Sequence, residues 1–330
     1  MQRFLSNQEL TPFVSAHVHG AFSLRALSGG LLNQSALIEA GRQRLLLKVY
    51  RDKMDNAAVA ETHRLMAFVA ARGIPVPLPV AVGEVGGRVV ALYPFVAGVH
   101  PPKFNDPYVE VMGGMLGRID AVLDGFRPSA PKPLAASLSR AQDVPGFLRE
   151  MDEVRAQLHV LRPSDRAYIG RCLDDLAWAV REVPWQETNT DDLPVRVCHN
   201  DFHSYNVLMR GGRITAVLDW EKAGWQFRGF EAMRSVIFNC RSSWRKVDGD
   251  SADAYLRAYA RHVRLSVRER ETAFVCGLRE MTFSLWAVRE YLRGHAAVRA
   301  NIRRRTAVVR FLAAHREAFA ERVARALTRT

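Results

Sequence analysis

Apolar positions change their rhythm about a third of the way along the chain. From about residue 20 to 93 they come in short blocks separated by turn-forming residues, the pattern of strands. From about residue 107 onward they recur mostly at helical spacing, with one short β-rich patch. Residues 21–27 and 34–39 predict two strands, with the turn-forming stretch Ser28-Gly29-Gly30-Leu31-Leu32-Asn33 between them. Ala40-Gly41 makes the next turn, and residues 44–50, R-L-L-L-K-V-Y, predict a third strand. Val59, Leu65, Met66, Val69 and Ala70 give residues 55–72 the apolar stripe of a helix, which Gly73 stops. The following Gly73-Ile-Pro-Val-Pro-Leu-Pro predicts an extended connector, because each proline biases its predecessor away from helix. A Gly86-Gly87 turn leads into a strand over 88–93, ended by Pro94.

In the second part, helices are expected over 107–122, 146–160 and 164–183, with a Pro- and Ala-rich loop over 126–142. Strands at 195–198, 207–209 and 214–218, the last two joined through Gly211-Gly212, form the β patch. Helices over 229–240, 251–263, 267–293 and 296–327 fill the remainder. The expected class is therefore α+β, strand-rich first and mainly helical afterwards.

Composition narrows the partners. Of 330 residues, 48% are hydrophobic and 25% charged, which suits a folded core and argues against global disorder. The first ten residues carry Arg3, Asn7, Gln8 and Glu9 and lack a signal peptide's apolar region. The longest apolar run, 89–99, is too short for a membrane span and contains Pro94 and Gly98. No membrane association is expected. The four cysteines form no C-x-x-C pair, so no zinc knuckle or thioredoxin motif is indicated; reduced thiols and a cytoplasmic location are expected. The net charge of +13 includes a run of Arg293, Arg299, Arg303, Arg304, Arg305 and Arg310 among apolar residues at near-helical spacing. This reads as a solvated helix face, and no zinc-finger or RNP motif accompanies it, so no nucleic-acid partner is expected.

The stretch that carries chemistry is His199-Asn200-Asp201-Phe202-His203-Ser204-Tyr205-Asn206, followed by a hairpin ending at Leu218-Asp219-Trp220-Glu221. Phosphoryl transfer from ATP requires an aspartate to receive the proton of the attacking hydroxyl, and an asparagine and a second aspartate to hold magnesium. Asp201, Asn206 and Asp219 are of these types, and the hairpin puts Asn206 and Asp219 at matching strand ends. His199 and His203 stand four apart, as in zinc proteases, but Asn200 occupies the position of the required glutamate and both flanks are strand-like.

With His199, Asp201, Asn206 and Asp219 at these spacings, the sequence resembles the aminoglycoside phosphotransferase / choline kinase-like family, which includes homoserine and methylthioribose kinases. The resemblance implies a two-lobed protein-kinase-like fold, with an N-lobe of antiparallel sheet plus helix over 1–95 binding nucleotide. A mainly helical C-lobe over 96–330 would carry the catalytic loop, the metal site and the acceptor-binding helices. It implies ATP and Mg2+, with Asp201 as base, His199 buttressing its loop, and Asn206 and Asp219 as metal ligands. Lys48 in the third strand would grip the α- and β-phosphates, paired with Glu61 on the following helix. Ser28, Gly29, Gly30 and Asn33 would form the phosphate-covering loop. Tyr93, Phe95 and Val96 would form the hinge that meets adenine. Glu231 falls where the family usually has an aspartate bracing the catalytic loop, and Glu221 is open as a further metal ligand. Trp225, Arg228, Glu280, Trp286, Glu290 and Tyr291 are candidates to line the acceptor site. The expected reaction moves the γ-phosphoryl of ATP to a hydroxyl of a small molecule, an antibiotic or a metabolite. The competing reading is a catalytically idle nucleotide-binding relative, against which the intact motif speaks. The absence of G-x-G-x-x-G, D-F-G and A-P-E opposes a protein kinase.

Overall fold

The computed structural model describes residues 4–27, 33–51, 54–129, 143–185 and 190–328. The alternation in R-L-L-L-K-V-Y builds the centre of a sheet. Gln43–Val49 (β3) buries Leu45, Leu47 and Val49 on one face, which leaves Leu46 and Lys48 to the other. It lies in a five-stranded antiparallel sheet with Ser23–Leu27 (β1), Gln34–Ala40 (β2), Ala81–Val85 (β4) and Arg88–Pro94 (β5), in the order β1-β2-β3-β5-β4. Ile38, Leu45, Leu47, Val90 and Leu92 of this sheet form one core with Leu10 and Val14 of a helix over Asn7–Ser15 (α1).

Helix α1 and strand β4 were not expected. Pro12 stands inside α1, yet a capping box between Ser6 and Glu9 starts the helix, with the Ser6 N–H donating to Glu9 Oε2 at 2.8 Å. Strand β4 is interrupted by Gly83, where a Cβ would come 2.7 Å from the Phe13 ring of α1. The glycine that hides the strand is what lets the helix cross it. The helix Asn56–Ala70 (α2) is capped by Asp55, whose Oδ1 accepts the Ala58 N–H at 2.8 Å.

The chain divides into two compact units. One comprises Met1–His100, Phe126–Ser129 and Tyr205–Ala223; the other comprises Pro101–Gly125, Ala130–Ser204 and Gly224–Thr330. The hairpin expected after Asn206 therefore belongs to the first unit. It pairs Val207–Arg210 (β7) with Arg213–Val217 (β8) through Gly211 and Gly212, both at positive φ, as a tight hairpin turn requires. Its attachments include the Val217 N–H donating to Pro75 O at 2.7 Å, His100 Nδ1 at 2.9 Å from Val207 O, and a bridge between Val99 and Met209.

The second unit is mainly helical. Val109–Leu123 (α3), Val144–Ala156 (α4) and Pro163–Glu182 (α5) precede the two-stranded pair Val195–Cys198 (β6) and Gly224–Phe227 (β9). Arg228–Asn239 (α6), the small hairpin Arg241–Ser243 (β10) and Lys246–Val247 (β11), and Gly249–Ala260 (α7) follow. Glycines let α3 lie directly on α7: a Cβ at Gly113 would fall 2.1 Å from Tyr255 O, and one at Gly117 2.5 Å from Tyr259 O. The helix expected over 267–293 is two, Val267–Thr282 (α8) and Trp286–Leu292 (α9). Phe283 leaves the helical path and buries its ring 4.9 Å from Phe147 and 5.1 Å from Trp185. The next expected helix is also two, Arg299–Ala314 (α10) and Arg316–Ala326 (α11), separated at His315, whose Nδ1 meets the Phe311 carbonyl at 2.8 Å. All four cysteines are buried and unbridged. Among the described residues no helix is long and apolar enough to cross a membrane.

Candidate active site

In the first unit the chemistry gathers on the face of β3 opposite the α1 core. Lys48 Nζ lies 2.9 Å from Asp219 Oδ1 and also pairs with Glu221 Oε1. Asn33 fixes the second carboxylate: its Nδ2 donates to Glu221 Oε1 at 2.8 Å while its Oδ1 accepts the Arg51 N–H at 3.1 Å. Burial works against the Lys48 charge, but Asp219 and Glu221 outweigh it and raise the lysine pKa. Lys48 is therefore cationic at any working pH.

Lys48 does not pair with Glu61, contrary to the sequence expectation. Glu61 accepts Arg64 Nε and Nη2, both at 2.8 Å, and the Ser129 N–H and Oγ, both at 2.9 Å. The Arg64 bonds are the chief cause that holds its carboxyl down to about 2. Four local donors saturate Glu61, and the two carboxylates beyond β8 take the lysine instead.

Asp219 caps β8 in the left-handed region, φ 61° and ψ 55°, which a non-glycine residue enters only when its surroundings hold it there. The Leu218 N–H donates to Asn206 O at 2.8 Å, and buried Trp220 donates its indole N–H to Val217 O at 3.0 Å. The hairpin thus joins Asn206 to the Asp219 turn as its strand ends were expected to do. Asp219, Glu221 and the Asn206 amide offer only oxygen donors, which fits a hard cation such as Mg2+. Among the described residues no group of three His, Cys, Asp or Glu could cage a metal by itself. Mg2+ characteristically takes one or two carboxylates and completes its shell with phosphates and water.

Of the expected hinge residues, Tyr93 is committed through its side chain: its hydroxyl meets Tyr50 at 2.5 Å and His63 Nε2 at 2.7 Å. Burial raises both tyrosine pKa values, and burial together with Lys48 lowers that of His63. The Phe95 N–H donates to Arg44 O at 3.1 Å, so a purine could take it only by breaking that bond; Val96 follows it. Ser28, Gly29 and Gly30 lie outside the described residues.

In the second unit the loop from His199 to Ser204 is held by one face of α6. Glu231, Arg234, Ser235 and Asn239 stand at helical spacing and each reaches the loop. Glu231 Oε2 accepts the Asn200 N–H at 2.6 Å, where Asn200 sits at φ 64°. Arg234 Nη2 donates to Asp201 Oδ1 at 2.6 Å. Ser235 Oγ donates to Phe202 O at 2.8 Å, and Asn239 Oδ1 accepts the Ser204 N–H at 2.8 Å. Fully buried His199 accepts the Asp201 N–H on Nδ1 at 3.2 Å, which assigns its proton to Nε2. His203 Nε2 lies 3.4 Å from Asp201 Oδ1. Burial and the nearby Asp120 push the Glu231 carboxyl pKa up.

Arg234, Ser235 and Asn239 escaped the sequence reading. Their signal was present: a polar stripe on a helix that also carries the core residues Phe230, Met233, Val236 and Ile237. Arg228 is scaffold, with Nη2 on Asp120 O at 2.5 Å and on Asp124 Oδ1 at 2.8 Å. Glu290 pairs with Arg293, and Tyr291 bonds Asp165, so both are engaged with neighbouring side chains.

A sequence profile of the phosphotransferase enzyme family matches residues 23–269. The chain belongs to that family. This phosphotransferase is 26% identical over 268 residues to a homoserine kinase of Bradyrhizobium diazoefficiens, covering 79% of this chain and 77% of the relative. It is 24% identical over 269 residues to the homoserine kinase of Afipia carboxidovorans, again 79% and 77%. Among solved structures it resembles a microcompartment-associated aminopropanol kinase, with a TM-score of 0.65, 15% identity, and 95% and 98% of the two chains covered. It also resembles the spectinomycin phosphotransferase APH(9)-Ia in complex with ADP and spectinomycin, with a TM-score of 0.60, 13% identity, and 96% and 99% covered. The fold is that of the protein-kinase-like small-molecule kinases. The phosphotransferase is an ATP-dependent small-molecule kinase whose acceptor presents an alcohol group.

Proposed function

We propose that Asp201 is the base of this kinase and that Lys48, Asn206 and Asp219 manage the nucleotide and its metal. The acceptor hydroxyl oxygen attacks the γ-phosphorus, its proton passes to Asp201, and the β–γ bridging oxygen leaves with ADP. Asn206 and Asp219 would hold Mg2+, which when bound supplies positive charge to the phosphates. Lys48 stays cationic and orients the α- and β-phosphates. Once a cation takes Asp219, Glu221 and Asn33 keep the lysine in place. The α6 stripe fixes the loop that carries Asp201, so catalysis comes from positioning and electrostatics.

The observation that supports this reading best is the Lys48–Asp219–Glu221–Asn33 network. Two carboxylates are drawn together against a part-buried lysine at the end of the hairpin that starts at Asn206. A structural ion pair needs one carboxylate; a site that takes up a divalent cation has a use for the second. Homoserine is the first acceptor to assay, since the curated relatives carry that name.

The test is a thermal-shift titration with MgATP. Native protein should be stabilised as MgATP rises past its Kd, by about 2.7 kcal/mol at a hundredfold excess. Asp219→Ala should need at least about tenfold more MgATP for the same shift, one pair of charge-assisted contacts being lost. An unchanged titration in Asp219→Ala would remove the metal assignment.

A further inference from the structure

Asp201 is masked in the ligand-free protein. Its Oδ1 takes Arg234 at 2.6 Å, and the two side chains are only 9% and 12% exposed. A carboxylate paired so closely with a guanidinium is a poor proton acceptor, because the pair stabilises its ionised form. Something must draw Arg234 away when the hydroxyl arrives.

Arg234 is also not the only cation there. Arg305 of α10 is part-buried and donates Nε to Met281 O and Nη2 to Glu280 O, both at 2.6 Å. Main-chain carbonyls hold it without cancelling its charge. Burial lowers its pKa, the Glu280 carboxylate offsets this, and the nearby Arg234 charge adds repulsion. The Phe238 ring carries Arg234 at 4.9 Å and Arg241 at 5.5 Å. Arg304, next to Arg305, lies 3.6 Å from the Trp244 ring, with Lys103 at 5.7 Å from the same ring. Arg234 and Arg305 are both part-buried, where like charges repel more strongly than in water, and an entering anion relieves that repulsion.

We propose that the acceptor is an alcohol bearing an anionic group, and that Arg234 and Arg305 bind that group, so that acceptor binding transfers Arg234 from Asp201 to the substrate. The inference rests on Asp201 being the base. The acceptor's own charge then unmasks the group that takes its proton. Choline-like or polyamine-like alcohols would meet repulsion and leave Asp201 paired. Carboxylate and phosphate share the required chemistry.

Two matched pairs separate them: L-homoserine against 3-amino-1-propanol, which is homoserine without its carboxylate, and glycerol 3-phosphate against glycerol. Choline serves as the cationic control. With MgATP and ADP release as the readout, the anionic member of one pair should be preferred about 10–100-fold in kcat/KM, the range of a charged hydrogen-bonded contact. Arg234→Ala and Arg305→Met should bring that preference to within about threefold, Arg305→Met mainly through KM. A merely structural role would lower both members of a pair alike and overturn the proposal, as would preference for an uncharged alcohol or for choline. Phosphorylation of none of them by protein that binds MgATP would overturn the proposed acceptor class and leave Asp201 as base to the Asp201→Asn measurement.

Discussion

Replacing Glu61 by Gln separates this kinase from the arrangement in which a helix glutamate holds the phosphate-gripping lysine. In the structure Glu61 receives two bonds from Arg64 and two from Ser129, and none from Lys48. Its carboxyl is held from 4.5 down to about 2, which at about 1.4 kcal/mol per decade corresponds to roughly 3 kcal/mol. The Glu61 and Arg64 side chains are 22% and 46% exposed, so solvent screens the pair and about 1–2 kcal/mol remains. Because the folded-state pKa is depressed, this stabilisation is present above about pH 4.5 and is lost as pH falls toward about 2. Glu61→Gln should therefore lower Tm by about 1–3 °C at neutral pH for a chain of this length, and by progressively less as the buffer is acidified. MgATP affinity, measured by calorimetry on the same protein, should stay within about twofold, since the ligands of Lys48 are untouched. A loss of MgATP affinity of about tenfold or more would refute the reasoning, because it would mean that Glu61 reaches Lys48 in the nucleotide-bound state.

Gly113→Ala drives a Cβ against the Tyr255 carbonyl, a backbone atom that cannot step aside, and should cost about 1–3 kcal/mol; Gly114→Ala, whose nearest neighbour would be 3.9 Å away, should be neutral or gain up to about 1 kcal/mol of helix propensity. Urea melts of the two variants decide it, and equal effects would contradict the close α3–α7 contact. For Glu231, burial raises the folded-state pKa, so the stability it contributes is full below its ordinary value of 4.5 and is lost as pH rises through the raised value. Glu231→Gln should remove that loss and flatten stability between about pH 4.5 and about pH 8; parallel native and variant profiles would show that Glu231 does not titrate there.

The spacing of charged and amide residues marked Lys48, Asp201, Asn206 and Asp219 as candidates, and the strand face of Lys48 and the pairing of the hairpin ends were readable because strand alternation and hairpin register are properties of neighbouring residues. The partner of Lys48 was not readable. Glu61 stands on the next helix, while Glu221 reaches the lysine only because Asp219 takes a left-handed conformation and the chain coils through Trp220–Lys222. No local pattern encodes that choice. Helix α1 was hidden by Pro12, and strand β4 by Gly83, each of which breaks the periodicity of its own element. Phe283 was counted as one more helical residue, and aromatic packing from distant segments ended the helix there. Arg234 was legible in principle, three residues after Glu231 on a helix otherwise made of core side chains, but its contact with Asp201 depends on tertiary placement.

The central claim is that Asp201 receives the acceptor's proton and does not hold the nucleotide. Asp201→Asn keeps the side chain's shape and removes its charge and proton affinity. With a confirmed acceptor, turnover should fall by about 10²–10⁴-fold, the usual contribution of a positioned base, or roughly 3–5 kcal/mol of barrier. MgATP affinity by calorimetry should remain within about twofold. Turnover within about threefold of the native enzyme would contradict the assignment, and loss of turnover together with loss of MgATP binding would make Asp201 a ligand of the metal or nucleotide instead.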